Sequence, residues 1–416
     1  MYNRIFFEVI KLEIPKECDV IVIGGGISGC ATAYYLAKGG LNVVVVEQRS
    51  IASGATGRNG SCLTQLDGRT MTPERVKKRL PFVRSDIELL KGLNAELGRD
   101  IELQQFGSTD LSTSEEESEE LRKVVEIQKA GGDGETDFYE RAELKELYPA
   151  LPDHVVGGKF CRIDGSVNPI KMCWSFAMAA HERHKARMIT QTRVEKIIIK
   201  GGKALGVETD AGDIMAHLSV INCTNAWSPL IAPEVVVFPV LNVVSVTEQV
   251  PLIPIITWEY TYKGYYCYGT SQKNGSLIIG GLPTREPETF DERFVEEATF
   301  EDLERFAGVL GHLYPSLKDV SFLRIWAGVF AMTPDRLPYI GPMPGHDNYF
   351  VNTGYSNGMG YCIIGAKLTS EYILNNGKTS IPLDLVKTDR FAGMNFKVPK
   401  RCSYKQMDHL LHEWDL

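Results

Sequence analysis

Residues 19–29 read DVIVIGGGISG, an apolar run followed by a cluster of glycines. Residues 20–23 are a short apolar run of the kind that suits a strand buried on both faces of a parallel sheet. A helix is predicted at about residues 28–39, and the β-branched run LNVVVV at 41–46 predicts a second strand. Strand, glycine turn, helix and strand follow one another within about thirty residues, which predicts a βαβ unit.

The glycine run fits the pattern G-x-G-x-x-G through Gly24, Gly26 and Gly29. In that pattern the glycines allow a tight turn, close approach of the backbone to a pyrophosphate, and tight packing of the helix on the strand. The pattern alone is weak in a chain with 39 glycines, so its context decides. Glu47 ends the next strand, where a carboxylate accepts hydrogen bonds from a ribose, and the helix start near Ser28 offers unpaired N–H groups to phosphate. These features predict an adenine dinucleotide site; the alternative is a glycine turn that binds nothing.

The size and charge of the chain restrict the class of protein. At 416 residues it exceeds a comfortable single core, so two interleaved domains are expected. Apolar residues make up 44% of the chain and the net charge is -8, which argues against a nucleic-acid-binding face.

The distribution of apolar residues and cysteines bears on location. No apolar run reaches the roughly 18 to 20 residues that a transmembrane helix needs, and the first residues lack the pattern of a signal peptide. The nine cysteines are scattered without a C-x-x-C pair, so we expect reduced thiols and no metal site. The sequence therefore predicts a cytoplasmic protein without a transmembrane segment, with peripheral contact to a membrane left open.

A second run of small residues, ASGATGRNGS at 52–61, comes directly after the predicted ribose-binding strand. Together with residues 19–51 it resembles the N-terminal signature of the FAD-dependent D-amino-acid oxidase superfamily, which includes glycine and sarcosine oxidases and amine or imino-acid dehydrogenases. The resemblance implies non-covalently bound FAD, with residues 52–61 near its ribityl chain and flavin. NAD is the alternative cofactor, but a nicotinamide-linked reductase requires a second nucleotide motif that the sequence does not show.

A middle segment carries the same resemblance. TRVEKIIIKGGKALGVETDAGDIMAHLSVINCTNAWSPLI at 192–231 resembles the family's second FAD-domain segment. There the residue matching Val194 contacts adenine through its backbone, and residues 223–228 pass beside the cofactor. Asn225 stands where many members have glycine, and asparagine is among the residues that adopt a positive φ.

The closing segment contains the second glycine run. WAGVFAMTPDRLPYIGPMP at 326–344 and TGYSNGMG at 353–360 resemble the family's closing motif, which meets the flavin ring. Gly354, Gly358 and Gly360 permit close approach of the backbone, and a helix that begins near Gly360 would direct its positive end at the ring. Both glycine runs are therefore expected to border one FAD, the first at its pyrophosphate and the second at its isoalloxazine ring. The predicted FAD-binding residues are Gly24, Gly26, Ile27, Ser28, Gly29, Glu47, Gln48, Arg49, Ala55, Thr56, Arg58, Asn59, Gly60, Ser61, Val194, Thr224, Asn225, Trp227, Gly328, Gly354, Tyr355, Asn357, Gly358, Met359 and Gly360.

The predicted fold class is α/β, with a Rossmann-like FAD-binding domain interleaved with an α+β substrate domain built on a mostly antiparallel sheet. The second sheet is expected because residues 235–282 alternate β-branched and aromatic residues with turns. The predicted divisions are 17–90, 152–234 and 325–390 for the FAD-binding domain, 91–151 and 235–324 for the substrate domain, and 391–416 for a C-terminal tail.

The resemblance implies an oxidoreductase that acts on the C–N bond of an amino acid, imino acid or secondary amine. The hydrogen on Cα leaves as a hydride to flavin N5 and gives an imine, which requires an oriented, unprotonated amine and no obligatory acid–base residue. Tyr266 and Tyr268 lie on the strand that faces the flavin across the substrate in the family, so they are the candidates for the substrate pocket. Aromatic packing within the sheet is the alternative role for both.

One departure from the family concerns the substrate carboxylate. Simple amino-acid oxidases have a carboxylate-binding arginine at the position of Phe330, and phenylalanine cannot replace its paired hydrogen bonds. Arg324, on the adjoining strand, is the candidate for supplying the missing charge; the alternative is a surface or structural arginine.

The motif TPDRLP at 333–338 bears on assembly. It is more similar to the catalytic subunits of multi-subunit sarcosine, proline, opine and hydrogen-cyanide-forming enzymes. The resemblance thus implies the FAD subunit of a hetero-oligomer, with a small-molecule amine or amino-acid substrate and a second subunit or electron acceptor as partner. Two alternatives stay open: a simple homo-oligomeric glycine or D-amino-acid oxidase, and a non-catalytic assembly subunit that binds FAD.

Overall fold

The computed structural model describes residues 14–66, 72–250, 257–285, 289, 291–394 and 396. The helices are α1 (Ile27–Lys38), α2 (Pro73–Leu97), α3 (Glu115–Ala130), α4 (Arg141–Leu147), α5 (Pro169–His184), α6 (Ser228–Ile231), α7 (Phe300–Leu313) and α8 (Cys362–Leu374). The strands are β1 (Glu17–Ile23), β2 (Val43–Val46), β3 (Cys62–Leu63), β4 (Ser108–Ser112), β5 (Thr136–Glu140), β6 (Gly157–Cys161), β7 (Gly165–Ser166), β8 (Arg187–Ile189), β9 (Val194–Lys200), β10 (Lys203–Thr209), β11 (Gly212–Asn222), β12 (Phe238–Gln249), β13 (Thr257–Tyr262), β14 (Tyr265–Ser271), β15 (Ser276–Gly281), β16 (Phe322–Met332), β17 (Tyr339–Pro342) and β18 (Tyr349–Thr353). Residues 397–416, most of the predicted C-terminal tail, lie outside the described residues. No helix in the described ranges combines the length and apolar character needed to cross a membrane.

The first sheet has the strand order β17-β18-β11-β1-β2-β8. β1 pairs in parallel with β2 and β11, and the outer pairs β2–β8 and β11–β18 are also parallel. β9 and β10 extend the sheet from β11 as antiparallel strands. The predicted βαβ unit is confirmed as β1, α1 and β2, whose apolar side chains are buried because helices and the second sheet cover the two faces.

The register of the first sheet brings four strand ends into line. Ile23, which ends β1, lies opposite Val46 of β2 and Asn222 of β11. Asn222 in turn lies opposite Val351 of β18. The segments that follow these strands therefore emerge at the same carboxyl edge, which is where open α/β sheets bind their ligands.

Three helices, α1, α5 and α8, contact strands of the first sheet on one face, and α2 packs against this helical layer. α1 packs against α5 and α8, and α2 packs against α8. The core between them contains Leu36, Phe176 and Ile363, which have no exposed surface. α2 also carries a charged residue into this core, since Asp86 is completely buried.

The second sheet has the strand order β16-β12-β15-β14-β13-β4-β6-β5. Its neighbours pair antiparallel except for β4 and β13, so the predicted, mostly antiparallel second sheet is confirmed. A second core joins the two sheets, with Ile21 and Val44 from the first and Val243 and Trp258 from the second.

Two strands of the second sheet lie in segments predicted for the FAD-binding domain. β6, within residues 152–234, pairs with β4 and β5, and most of β16, within residues 325–390, pairs with β12. A strand pairs with its neighbours through hydrogen bonds to segments that are distant in the chain. A local pattern of side chains therefore does not predict which strands pair. The domain division itself stays a prediction.

Candidate active site

A cavity of about 1030 Å³ lies at the carboxyl edge of the first sheet, and residues of the second sheet complete its wall. Gly24 and Gly26 of the first glycine run and Gly358 of the second line this one cavity. The two runs meet because they follow β1 and β18, whose ends lie in register with β11 between them. The volume is at the upper limit of small-molecule sites, so the cavity accepts an extended ligand.

Close backbone packing requires the first glycine run. Gly24 has a φ of 106°, and a Cβ atom there would lie 2.8 Å from the carbonyl oxygen of Cys223. A Cβ atom on Gly29 would lie only 2.0 Å from the carbonyl oxygen of Gly24. Gly29 therefore seats α1 against the turn, and the cavity is lined by the residues before it.

The N-terminus of α1 opens onto the cavity with a neutral cap. The N–H of Ile27 donates to Oγ1 of Thr56 at 3.0 Å, and the first turn contains no acidic residue. Ser28, in the same turn, lines the cavity. Because the positive end of a helix attracts anions, this part of the cavity suits a phosphate group.

Glu47 holds the glycine turn and also lines the cavity. Its carboxylate accepts a hydrogen bond from the N–H of Gly25 at 2.7 Å and one from the N–H of Arg49 at 2.8 Å. These bonds orient the carboxylate at the end of β2. Since an ionised carboxylate has about four acceptor positions, Glu47 retains capacity for the hydroxyl groups of a ribose.

Arg49 and Arg58, both in the cavity wall, share one carboxylate. Arg49 Nη1 lies 2.8 Å and Arg58 Nη2 lies 3.0 Å from Oε2 of Glu296. Arg58 also donates to the carbonyl oxygen of Ala327 at 2.9 Å, which ties the loop after β2 to β16. The sequence did not indicate Glu296, because it lies 247 positions from Arg49 and no motif contains both.

Asn225 joins the middle segment to the second glycine run. Its φ is 49°, so the expectation that asparagine replaces glycine at a positive φ here is confirmed. Its Oδ1 accepts a hydrogen bond from the N–H of Tyr355 at 2.8 Å. No atom lies within 4 Å of the place where a Cβ atom on Gly358 would be, so this glycine borders open space. A Cβ atom on Gly360, in contrast, would lie 2.8 Å from the carbonyl oxygen of Thr64.

Tyr268 is held between two glycines next to the cavity. Cβ atoms on Gly60 and Gly280 would lie 2.2 and 2.3 Å from its ring. Its hydroxyl accepts a hydrogen bond from Nδ2 of Asn242 at 2.7 Å, and burial raises the pKa of Tyr268 well above its ordinary value. Tyr266 lies beside it with the ring centroids 6.1 Å apart, and both tyrosines line the cavity. Tyr268 is thus a neutral phenol, suited to forming a wall and to hydrogen bonding.

A family model described as FAD dependent oxidoreductase matches residues 19–372, a span that contains both glycine runs. The chain belongs to the FAD dependent oxidoreductase family. The family that the sequence predicted is therefore confirmed, and so are FAD as the cofactor and oxidoreductase as the class of enzyme.

Individual relatives agree with membership in the FAD dependent oxidoreductase family. Glycine oxidase of Bacillus subtilis (strain 168) is 27% identical over 388 residues, which cover 91% of this chain and 98% of that protein. Sarcosine oxidase subunit beta of Rhodobacter capsulatus is 27% identical over 360 residues, 83% of this chain and 82% of that protein. The crystal structure of L-proline dehydrogenase from P. horikoshii is similar with a TM-score of 0.79 and 27% identity, covering 92% of this chain and all of that one. This likeness confirms the predicted fold class.

The cavity of this FAD dependent oxidoreductase fits its cofactor. The start of α1 carries no carboxylate in its first turn and would hold the pyrophosphate. Glu47 would bind the ribose, and the open backbone at Gly358 would lie against the flavin ring. A Cβ atom on Gly358 would enter open space, so this glycine leaves room for such a ligand.

The cavity lining contains most of the predicted FAD-binding residues. These are Gly24, Gly26, Ile27, Ser28, Glu47, Gln48, Arg49, Ala55, Thr56, Arg58, Asn59, Gly60, Val194, Thr224, Asn225, Trp227, Gly328, Tyr355, Asn357, Gly358 and Met359. Gly29, Ser61, Gly354 and Gly360 lie outside the lining. Ser61 and Gly354 have φ values of 63° and 81°, so they shape the turns that carry the lining residues.

Arg324, predicted for the substrate pocket, is not among the residues that line the cavity. It is exposed, and its guanidinium lies over the ring of Trp326 at 5.5 Å from the centroid. Gly328 and Phe330, further along the same face of β16, do line the cavity. At about 3.3 Å per residue, Arg324 is ~13 Å from Gly328 along the strand. Arg336, which the sequence did not single out, is an arginine that lines the cavity.

Asp110 and Glu259 place two carboxylates in the cavity wall. They are opposite each other in the parallel pair β4–β13, and Oδ2 of Asp110 lies 3.0 Å from Nζ of Lys159. Burial by itself lowers the pKa of Lys159, but the carboxylates of Asp110 and Glu259 raise it above its ordinary value, so the lysine stays charged. The sequence missed these residues because their strands meet only through sheet pairing.

Proposed function

We propose that this FAD dependent oxidoreductase oxidises the C–N bond of a secondary amine or an imino acid. The observation that carries the proposal is the wall on the second sheet, in which Phe330 occurs together with Tyr266, Asp110 and Glu259. Phe330 occupies the position of the carboxylate-binding arginine that the resemblance implies. Asp110 and Glu259 add carboxylates to the same wall, and these attract the amine in its protonated form.

The residues of this wall would bind and orient the amine. Tyr266 and Tyr268 present aromatic surface, which packs on the apolar part of a substrate and attracts an ammonium group. FAD, when bound, supplies the chemistry by accepting a hydride from the carbon next to the nitrogen, which leaves an imine. Orientation of the amine against the cofactor is therefore the main task of the chain's own residues.

An anaerobic screen by flavin bleaching tests the proposed substrate class. Sarcosine, proline and opines are compared with glycine and D-alanine at equal concentrations. We expect the secondary amines to reduce the flavin at least about tenfold faster, a factor in the range that a few pocket contacts supply. Faster bleaching by glycine or D-alanine contradicts the proposal.

A simple glycine or D-amino-acid oxidase is the second candidate, and Arg336 favours it. Arg336 lines the cavity and has a φ of 61°. A guanidinium binds a carboxylate through two parallel hydrogen bonds, so Arg336 would bind the carboxylate of an amino acid. On this hypothesis Arg336→Gln raises KM at least about tenfold for amino acids and leaves KM unchanged for amines without a carboxylate. Arg324→Gln, outside the cavity, is the matched control, and equal effects of Arg336→Gln on both substrates eliminate the candidate.

We also propose that the chain is the FAD subunit of a hetero-oligomer and binds FAD non-covalently. The similarity to sarcosine oxidase subunit beta supports the first part. Purification of the tagged chain from the cells that produce it should recover a second polypeptide in constant ratio, and acid precipitation should release the flavin into solution. If the isolated chain is fully active, the hetero-oligomer proposal is wrong. If the flavin stays with the precipitate, the proposal of non-covalent binding is wrong.

A further inference from the structure

The N-terminus of α8 carries a buried carboxylate from another helix. Asp86 of α2 has no exposed surface, and its Oδ1 accepts a hydrogen bond from the N–H of Ile364 at 2.7 Å. Its Oδ2 is also buried and has no hydrogen-bond partner among the described residues. Tyr361 precedes α8 without a side-chain cap and accepts a hydrogen bond from Nε of Arg79 at 2.7 Å, and the first turn contains no acidic residue of its own.

The same helix end borders the cavity. Gly358, Met359 and Cys362, which lead into the first turn of α8, line it. Ile364, bound to Asp86, follows two positions after Cys362. Asp86 and the flavin end of the cavity therefore share one helix terminus, whose positive end stabilises negative charge on either of them.

We propose that Asp86 is a positioning residue that couples the reduction of bound FAD to the uptake of a proton. An ionised Asp86 offsets the positive end of α8 and disfavours further negative charge in the cavity, whereas a neutral Asp86 leaves that end available. The hydride that reduces the cofactor comes from the substrate C–H bond and brings one negative charge. Asp86 compensates this charge by taking up as much as one proton from the solvent, which converts its carboxylate to the carboxylic acid.

The surroundings of Asp86 allow this change of charge near neutral pH. Burial raises the pKa of Asp86 to about 7. The other titratable groups that face it are Tyr35 on α1, Tyr355 before α8 and Cys362 at its start. Burial raises the pKa of all three above their ordinary values, so they stay neutral while Asp86 titrates.

Spectroelectrochemical titration of the FAD-loaded chain between about pH 5 and about pH 9 tests the proposal. The wild-type midpoint potential should fall more steeply around neutral pH than that of Asp86→Asn. At alkaline pH the variant should have the higher potential, by ~30 mV for a tenfold coupling in a two-electron couple, and at acidic pH the two curves should converge. Glu88→Gln is the matched control, because it removes the same charge from α2 at an exposed ion pair with Lys91 and should leave the potential unchanged.

Two results overturn the proposal. The first is that the midpoint potentials of the wild type and Asp86→Asn are the same at every pH. The second is that they differ by an amount that does not change with pH, which indicates only that the substitution displaces the helix. If Asp86→Asn does not bind FAD, infrared difference spectra of the wild type on reduction replace it. A new, deuterium-sensitive carboxylic-acid carbonyl band is expected, and its absence overturns the proposal. The electrode sets the potential, so the inference rests on FAD binding alone and a failed substrate screen leaves it intact.

Discussion

The helices α1 and α8 begin at the same cavity, yet their first turns carry different charges. At α1 the hydroxyl of Thr56 caps the N–H of Ile27, and Glu47 binds the N–H groups of Gly25 and Arg49, which lie outside the helix. At α8 the N–H of Ile364 is bound by the buried carboxylate of Asp86. The pyrophosphate of FAD has a constant charge, whereas the charge of the flavin changes with its redox state. With FAD placed as proposed, the cap is neutral beside the pyrophosphate, whose charge is constant, and titratable beside the flavin, whose charge varies.

The largest effect is expected from disrupting the close packing of Gly29, in α1, on the turn at Gly24. In Gly29→Ala the new Cβ atom would lie 2.0 Å from the carbonyl oxygen of Gly24, so the helix must move away from the turn. We expect the free energy of unfolding to fall by about 5 kcal/mol, in the range of the severest single substitutions, and FAD binding to be lost. Thermal unfolding and FAD titration measure both. Gly358→Ala is the control for stability at the α8 side, because its Cβ atom meets no protein atom within 4 Å; equal stability of the two variants contradicts the expectation.

The second effect concerns the charged cap of α8. Because burial raises the pKa of Asp86 from 3.8 to about 7, the folded chain binds this proton more tightly than the unfolded chain. Its contribution to stability is complete below about pH 4 and is lost as the pH rises through about 7, a change of about 4 kcal/mol at 1.36 kcal/mol per pKa unit. Denaturant unfolding across this range should show a weaker pH dependence for Asp86→Asn than for the wild type. Burial also raises the pKa of Asp164 to about 7, so Asp164→Asn should remove a separate part of the pH dependence of the free energy of unfolding. If Asp86→Asn has the same pH dependence as the wild type, the prediction is wrong.

A charge introduced at α1 should convert its neutral start into an acidic one. Ser28 is buried in the first turn and lines the cavity, so Ser28→Asp places a negative charge where we propose that the pyrophosphate binds. We expect the Kd for FAD to rise about 30-fold, equivalent to about 2 kcal/mol of repulsion at a helix terminus. Ser28→Asn, similar in size but neutral, serves as the control in fluorescence titrations. If both variants weaken FAD binding equally, size and not charge is responsible.

The smallest effect is expected from removing the neutral cap itself. Thr56→Val deletes the oxygen that accepts the N–H of Ile27, and the resulting loss of stability should be about 1 kcal/mol. Thr56→Ser retains an acceptor and should recover most of the difference in denaturant unfolding. An unchanged stability in Thr56→Val shows that water replaces the hydroxyl.

Much of this arrangement follows from local sequence patterns. The apolar strand before the glycine run, the helix after it and the acidic end of β2 all lie within residues 17–47, and the predicted βαβ unit is confirmed. The positive φ of Asn225 was also predictable, because the resemblance places it where many family members have glycine, and asparagine adopts a positive φ more readily than most residues. Family resemblance added FAD, which the residues alone indicated only as an adenine dinucleotide.

The side chains that the second sheet contributes to the cavity were not predictable in the same way. Arg324 lies on the expected strand but too far along it, so a difference of a few residues along β16 removes it from the cavity. Asp110 and Glu259 become neighbours only through the pairing of β4 with β13. No local pattern records that pairing, since the two segments are remote in the chain and form hydrogen bonds only after the sheet assembles.

By itself the sequence determined the periodic elements, the glycine turns and the cofactor class, because backbone sterics and side-chain spacing act over a few residues. Which side chains share the cavity, and which helix end receives a charge, depend on the packing of segments that are distant in the chain. Asp86 and Ile364 are 278 positions apart, and the burial that raises the pKa of Asp86 exists only when α2 and α8 are packed together. Desolvation is a property of the assembled core, so no stretch of sequence carries it alone.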